Sequence, residues 1–145
     1  MKKSILTIVT ALALFSVSSL SYSEEAGKRY DASASWKSVV KINFKPGKTN
    51  DALKIIKDYY KPATVKAKTS GPETIMEMHT GDYDLLVVWG MPGGISDMTW
   101  ENHPDNKLWR DALNEIAGGE EKAQAIMDEY LSYIDNAESD IAMVR

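Results

Sequence analysis

Two histidines occur in the 145 residues, His79 and His103, and each stands beside groups that could do chemistry. His79 falls in Met76–Gly90, MEMHTGDYDLLVVWG, which reads as two strands joined by a two-residue turn at Gly81-Asp82. That turn makes Thr80 face Tyr83 and Met78 face Leu85, so His79 stands opposite Asp84 and shares a strand face with Glu77. With His103 brought in from a loop, Glu77, His79 and His103 could imitate two histidines and a carboxylate around iron or another divalent metal. The plainer reading, taken here, is a half-exposed sheet histidine paired with an acid and no metal. His103 itself lies in WENHP, residues 100–104, where aromatic and polar groups on a long loop beside a sheet end could line a pocket. The plainer alternative is a loop held down by Trp100, with Asn102 capping the helix that follows.

Other chemistries are excluded by what the chain lacks. It has no cysteine, which removes a thiol nucleophile, a cysteine zinc site, an iron–sulfur cluster and any disulfide. No G-x-S-x-G occurs, and GGISD at Gly93–Asp97 lacks the strand–elbow–helix context of a serine hydrolase. Nor does Gly-Lys-Ser/Thr follow those glycines, so they are not a phosphate loop.

The N-terminus indicates the compartment. Lys2 and Lys3 precede an apolar run over Ile5–Leu20, and Ser21 and Ser23 supply small residues at the −3 and −1 positions of a cleavage before Glu24. This is the layout of a secretory signal peptide over residues 1–23, so the protein is expected to be exported, periplasmic or secreted, with no membrane attachment after cleavage. Residues 24–35, polar and small, read as a flexible leader, and residues 36–145 as a single domain. Lys28–Lys68 carries 11 basic and 3 acidic residues, a balance of +8; Glu73–Arg145 carries 4 basic and 16 acidic, a balance of −12. An exported chain of net charge −4 argues against nucleic acid, and the two halves are expected to complement each other by packing side by side.

The elements that must position these residues follow from periodicity. Trp36, Val40, Ile42 and Phe44 alternate with Lys37, Val39, Lys41 and Asn43, a half-buried first strand ended by Pro46-Gly47. Leu53, Ile56, Tyr59, Tyr60 and Ala63 recur at helical spacing, and Pro62 should end or kink that helix near Lys61, with a short turn to about Lys68. Strand 2 is expected over Glu73–His79 and strand 3 from Tyr83 to Gly90 or Met91, with Met76, Met78, Leu85, Val87 and Trp89 on the oily face. A long irregular loop, an amphipathic helix through Leu108–Ile116 stopped by Gly118-Gly119, a helix from Glu120 to about Asn136 and a short strand Asp140–Val144 complete the chain. The order β-α-β-β-α-α-β is that of a ferredoxin-like α+β domain, a four-stranded antiparallel sheet in the order 4-1-3-2 with helices on one face.

The other sheet face would then carry Val39, Leu86, Val88, Ala142 and Val144 among Lys41, Asn43, Glu77 and His79. That mixture is too apolar for open water, and a second copy is the natural cover, giving a homodimer through the sheet. Here the chain resembles the dimeric α+β barrel superfamily over roughly residues 36–145, including proteins of the antibiotic-biosynthesis monooxygenase type. The resemblance rests on element order and face pattern. It implies a homodimer and a possible monooxygenase activity, haem-type or cofactor-independent. The haem-degrading members are similar in having an Asn on strand 1, which Asn43 matches, but no histidine falls inside a predicted helix here. His103 stands just before one. Cofactor-free oxygenation would need a snug aromatic pocket and a few hydrogen-bond donors, which Tyr59, Tyr60, Trp89, Asn43 and Trp109 could furnish.

The expectation is therefore a small exported dimer that binds a small, partly apolar ligand between sheet and helices without a cofactor. Tyr59, Tyr60, Trp89, Trp100 and Trp109 are the candidate pocket residues. The alternatives are a monooxygenase using His79, His103 or Asn43, and a structural or interaction protein without a ligand.

Overall fold

β1, Ser35–Phe44, is the centre of the sheet, because its alternation gives it an apolar face and two strands to pair with. The computed structural model describes residues 35–145. The expected signal peptide and the leader up to residue 34 lie outside the described residues, and Ser35 already belongs to β1. β1 pairs antiparallel with β3, Leu85–Met91, on one side and with β4, Ile134–Val144, on the other, and β2, Thr74–Glu77, pairs with β3. The order β2-β3-β1-β4 is the ferredoxin-like arrangement, with the helices packed on one face. Among the described residues no helix is long and apolar enough to cross a membrane.

A helical rod follows β1: α1 over Thr49–Ile55, a π-helical turn over Ile56–Tyr60, and α2 over Lys61–Ala67. The helix does not end at Lys61 but runs on to Ala67, with a π-helical irregularity just before Pro62, where its sequence leads one to expect an end or a kink. Proline cannot donate an amide hydrogen bond, and its ring would strike the carbonyl four residues back. The wider π turn accommodates both demands: the amide of Lys61 reaches the carbonyl of Ile56, five residues away, just before the proline. The rod stops at Lys68, which adopts the left-handed conformation at φ 54°.

α3, Pro104–Ala117, is capped one residue later than expected. His103, not Asn102, is the N-cap, its Nδ1 accepting from the amide of Asp105 at 3.2 Å. Gly118 ends α3 at φ 80°, where a side chain would meet its own carbonyl, so the Gly118-Gly119 stop works as expected. The preceding loop is partly ordered into a 3-10 turn, Gly94–Thr99.

α4 spans Glu120–Tyr133 and passes directly into β4. The expected boundaries here, a helix to Asn136 and a strand only from Asp140, are corrected by six residues of strand. The apolar stripe runs on through Ile134, and IDNAESD has little strand propensity. What makes it a strand is the backbone ladder offered by β1, which pairs residue by residue from Ser35↔Val144 to Phe44↔Ile134 with one irregularity at Asn43/Phe44. Ile134 still packs on the core, from the first position of the strand.

The core has two adjoining parts. Between sheet and rod, Ile42, Phe44, Ala52, Ile56, Leu85 and Val87 are buried together. Between α2, α3 and α4, Ala63, Ala112, Leu113 and Ala123 let three helices approach closely around one large side chain. The basic and acidic halves meet as their charges require: Lys37–Glu73 at 2.6 Å, Lys41–Glu138 at 3.1 Å, Lys41–Asp140 at 2.9 Å and Lys66–Glu115 at 2.6 Å all join the two.

Candidate functional site

The β2–β3 connection decides the fate of the histidine cluster. The register is Glu77↔Leu85 and Met76↔Leu86, one residue away from the one a two-residue turn would give. A slip of one residue turns every side chain of a strand to the opposite face. Ile75 therefore joins the core and Met76 points to the open face beside Leu86, the reverse of the expected pattern. The cause is visible at Asp84. Its amide donates to the carbonyl of Ile42 at 3.0 Å, its carboxylate accepts from the amide of Phe44 at 2.8 Å, and its carbonyl accepts from the amide of Met78 at 2.8 Å. Asp84 is thus drawn into finishing β1, and the chain from Met78 to Asp84 becomes a wider loop.

His79 is exposed in that loop, not opposite Asp84, and makes no side-chain hydrogen bond or ion pair among the described residues. Glu77 is paired with Leu85 on the helix side of the sheet edge. His103 is held at the start of α3, its ring edge-to-face with Trp100 at 5.4 Å. Among the described residues no three histidine, aspartate or glutamate side chains are grouped so as to hold a metal ion. Asn43 lies between the core residues Ile42 and Phe44 and is turned, by strand alternation, toward the open face.

The concave site lies elsewhere, between the sheet and the rod. A cavity of about 630 Å³ has Val40, Ile42, Val87 and Trp89 as its floor. Ile56, Tyr60, Thr64 and Val65 of the rod form its roof, Trp109 and Tyr130 close the back, and residues 71–75 form the rim with Lys61. A second recess of about 570 Å³ shares Tyr60, Thr64, Trp89 and Trp109 with it and extends toward Ser70, Asn106 and Arg110. The π turn bears directly on this geometry, because Ile56 and Tyr60, its two ends, are both cavity residues.

The aromatic walls are fixed by specific contacts. Tyr60 meets Trp109 edge-to-face at 5.3 Å and Tyr130 at 5.1 Å, and Tyr130 meets Phe44 at 6.1 Å. The indole of Trp109 donates to Thr64 Oγ1 at 3.1 Å, and that hydroxyl donates to the carbonyl of Tyr60 at 3.0 Å. Thr64 therefore ties α3 to the rod and sets the tilt of Trp109. The Tyr60 hydroxyl has no hydrogen-bond partner among the described residues. Of the aromatic candidates, Tyr60, Trp89 and Trp109 line the cavity. Tyr59 packs instead against the helical cluster, and Trp100 is exposed in its loop. Tyr130, Thr64 and Val65 were missed by sequence reasoning. Tyr130 stood in the expected stripe of α4, but nothing local distinguishes a stripe residue that meets a cavity from one that meets another side chain.

Electrostatics favour neutral phenols in this region. Burial pushes the Tyr60 hydroxyl well above the ordinary tyrosine range, with Tyr130 adding to the shift and the charge of Arg110 opposing it. Burial also raises Tyr130. At the surface, Tyr133 is pushed up to about 12, first by its hydrogen bond to the Glu129 carboxylate. For a group whose folded value is raised, the stabilisation is complete below the unfolded value of 10.0 and is lost as pH rises through about 12. We therefore expect a late-titrating set of tyrosines in an alkaline absorbance titration of the native protein, with stability declining over that window. Uniform titration of all tyrosines at the ordinary value would contradict these environments.

The open face of the sheet carries Val39, Leu86, Val88 and Met76 in its middle. Around them Lys41 is paired with Asp140 and Glu138 and lies over the ring of Tyr83 at 5.1 Å. Asp140 and then Glu138 hold Lys41 above the usual lysine range, while Tyr83 and then Lys41 hold Glu138 below the usual carboxylate range. The charges on this face thus satisfy one another at its β4 side, leaving the apolar strip between them.

No family model matches the sequence, and comparison with curated proteins finds no match. Among solved structures, the fold is similar to that of a NIPSNAP domain protein from Burkholderia xenovorans at 15% identity, covering 76% of this chain and 94% of that one, with a TM-score of 0.46. A NIPSNAP family protein from Agrobacterium tumefaciens is similar at 12% identity, 76% and 87% coverage and a TM-score of 0.47. A dimeric ferredoxin-like protein from an uncultured marine organism is similar at 7% identity, 79% and 90% coverage and a TM-score of 0.46.

Proposed function

We propose that this small α+β protein is exported, pairs with a second copy through its open sheet face, and binds a small, partly apolar molecule between sheet and helices. The observation that carries the reading is the cavity of about 630 Å³ walled by Tyr60, Trp89, Trp109 and Tyr130. It has the volume of a small-molecule site, mostly apolar walls and few polar groups, as ligand pockets do. Dimerisation is supported by the apolar strip of Val39, Leu86, Val88 and Met76, which a monomer would leave in water. Export is supported by the order of Lys2-Lys3, the apolar run and Ser21/Ser23. No step of catalysis is assigned: His79, His103 and Asn43, the polar groups a monooxygenase would have drawn on, line neither recess.

Native mass spectrometry of the full chain, expressed with its own N-terminus and recovered from outside the cytoplasm, tests all three parts. The expected species is a dimer whose subunit begins at Glu24 and which carries a small organic adduct. An uncleaved chain, a monomer, or a dimer that takes up no apolar probe would each overturn the corresponding part.

A further inference from the structure

Arg110 gives the second recess an unusual property. The residue is half-buried on α3, and its Nη1 donates to Gln124 Oε1 at 2.9 Å and contacts the sulfur of Met127 at 3.1 Å. Neither partner is charged, and Arg110 has no carboxylate partner among the described residues. The donors on Nε and Nη2 are unused there as well. A half-buried guanidinium normally finds an acid, because a desolvated charge without one is costly. The one acid among the residues lining the recess, Asp105, is engaged otherwise: its carboxylate accepts from the amide of Ser70 at 3.2 Å and forms no ion pair with Arg110.

A cation with free donors on the wall of this space is complementary to an anionic head group bearing several acceptor oxygens. That space adjoins the apolar cavity, the two sharing Tyr60, Thr64, Trp89 and Trp109. We infer that the ligand is an amphipathic organic acid, its apolar body in the cavity and its carboxylate at Arg110. This rests on the cavity reading above and names the ligand class for it.

The test uses the full chain and two probes of the same apolar body, decanoate and decanol, followed by quenching of the cavity tryptophans. The expected result is that both bind and that decanoate binds about tenfold or more tightly, the margin of a charge-assisted hydrogen bond. Arg110→Gln should abolish that preference while leaving decanol binding unchanged, and Arg110→Lys should restore part of it. Equal binding of the two probes to the native protein, or a preference that survives Arg110→Gln, overturns the head-group assignment and leaves the cavity reading standing. Binding of neither probe overturns both. Unchanged decanol binding by the variants also shows that they are folded.

Discussion

Leu85→Ala is expected to lower the free energy of unfolding by about 2–5 kcal/mol, among the largest losses available to a single truncation in this domain. Leu85 has no exposed surface, faces Ile42 across the β1–β3 ladder, and is buried in one cluster with Phe44, Ala52 and Ile56. It cannot be replaced by its neighbours, because β1 and β2 fix its position from both sides and the rod covers it from above. The lost side chain therefore leaves a void whose lining forfeits contacts in addition to the transfer term. Urea unfolding should show a lower midpoint with an unchanged slope. Leu108→Ala is the matched control. Leu108 is 53% exposed on α3, so its removal should alter stability by no more than about 0.5 kcal/mol. Equal effects of the two substitutions would mean that the sheet–rod cluster is not the seat of stability.

Val88→Glu should convert the proposed dimer to monomer while leaving the fold intact. Val88 pairs with Val39 in the middle of the open face, between Leu86 and the rim where Lys37 binds Glu73. In an isolated subunit the new carboxylate reaches water, and the cost to folding is small. In a dimer it would be buried without a free cation, since Lys41 is already paired with Glu138 and Asp140 and Lys37 with Glu73. An uncompensated buried charge costs about 3–5 kcal/mol, which is about a hundredfold or more in dissociation constant. Sedimentation equilibrium reads this directly. A dimer that survives the substitution would place the interface elsewhere, with the exposed Ile95, Met98, Trp100 and Leu108 around the loop and α3 as the alternative surface.

The two substitutions act on opposite faces of the same strand, and that alternation was legible in the sequence. Strand β1, the rod, the strand β3 core positions and the stop at Gly118 all follow from period two, period 3.6 and the backbone freedom of glycine, which are local properties. Given the order of elements, the sheet order 4-1-3-2 followed from the handedness and adjacency of connections. The charge asymmetry likewise specified that the two halves should meet, and the ion pairs across them do so.

What the tertiary structure decided was where local signals were weak or in competition. The Gly81-Asp82 pair favours a tight turn, but three hydrogen bonds at Asp84, two of them to the end of β1, outweigh it and shift β2 by one residue. That shift separates His79 from Asp84, so no histidine–carboxylate cluster forms on the hairpin. IDNAESD has no strand signal of its own, and becomes β4 because β1 offers an unpaired ladder beside it. Pro62 forbids an α-helical turn but not a π-helical one, and only the packing of Ile56 and Tyr60 selects the second. The site itself is the plainest case. A cavity is the space that side chains from distant segments fail to fill, and no residue's own sequence neighbourhood records it. The sequence determined which aromatic residues were available. The packing of rod, sheet and α3 decided that Tyr60, Trp89 and Trp109 would enclose a space, and that Arg110 would stand at its edge without an acid.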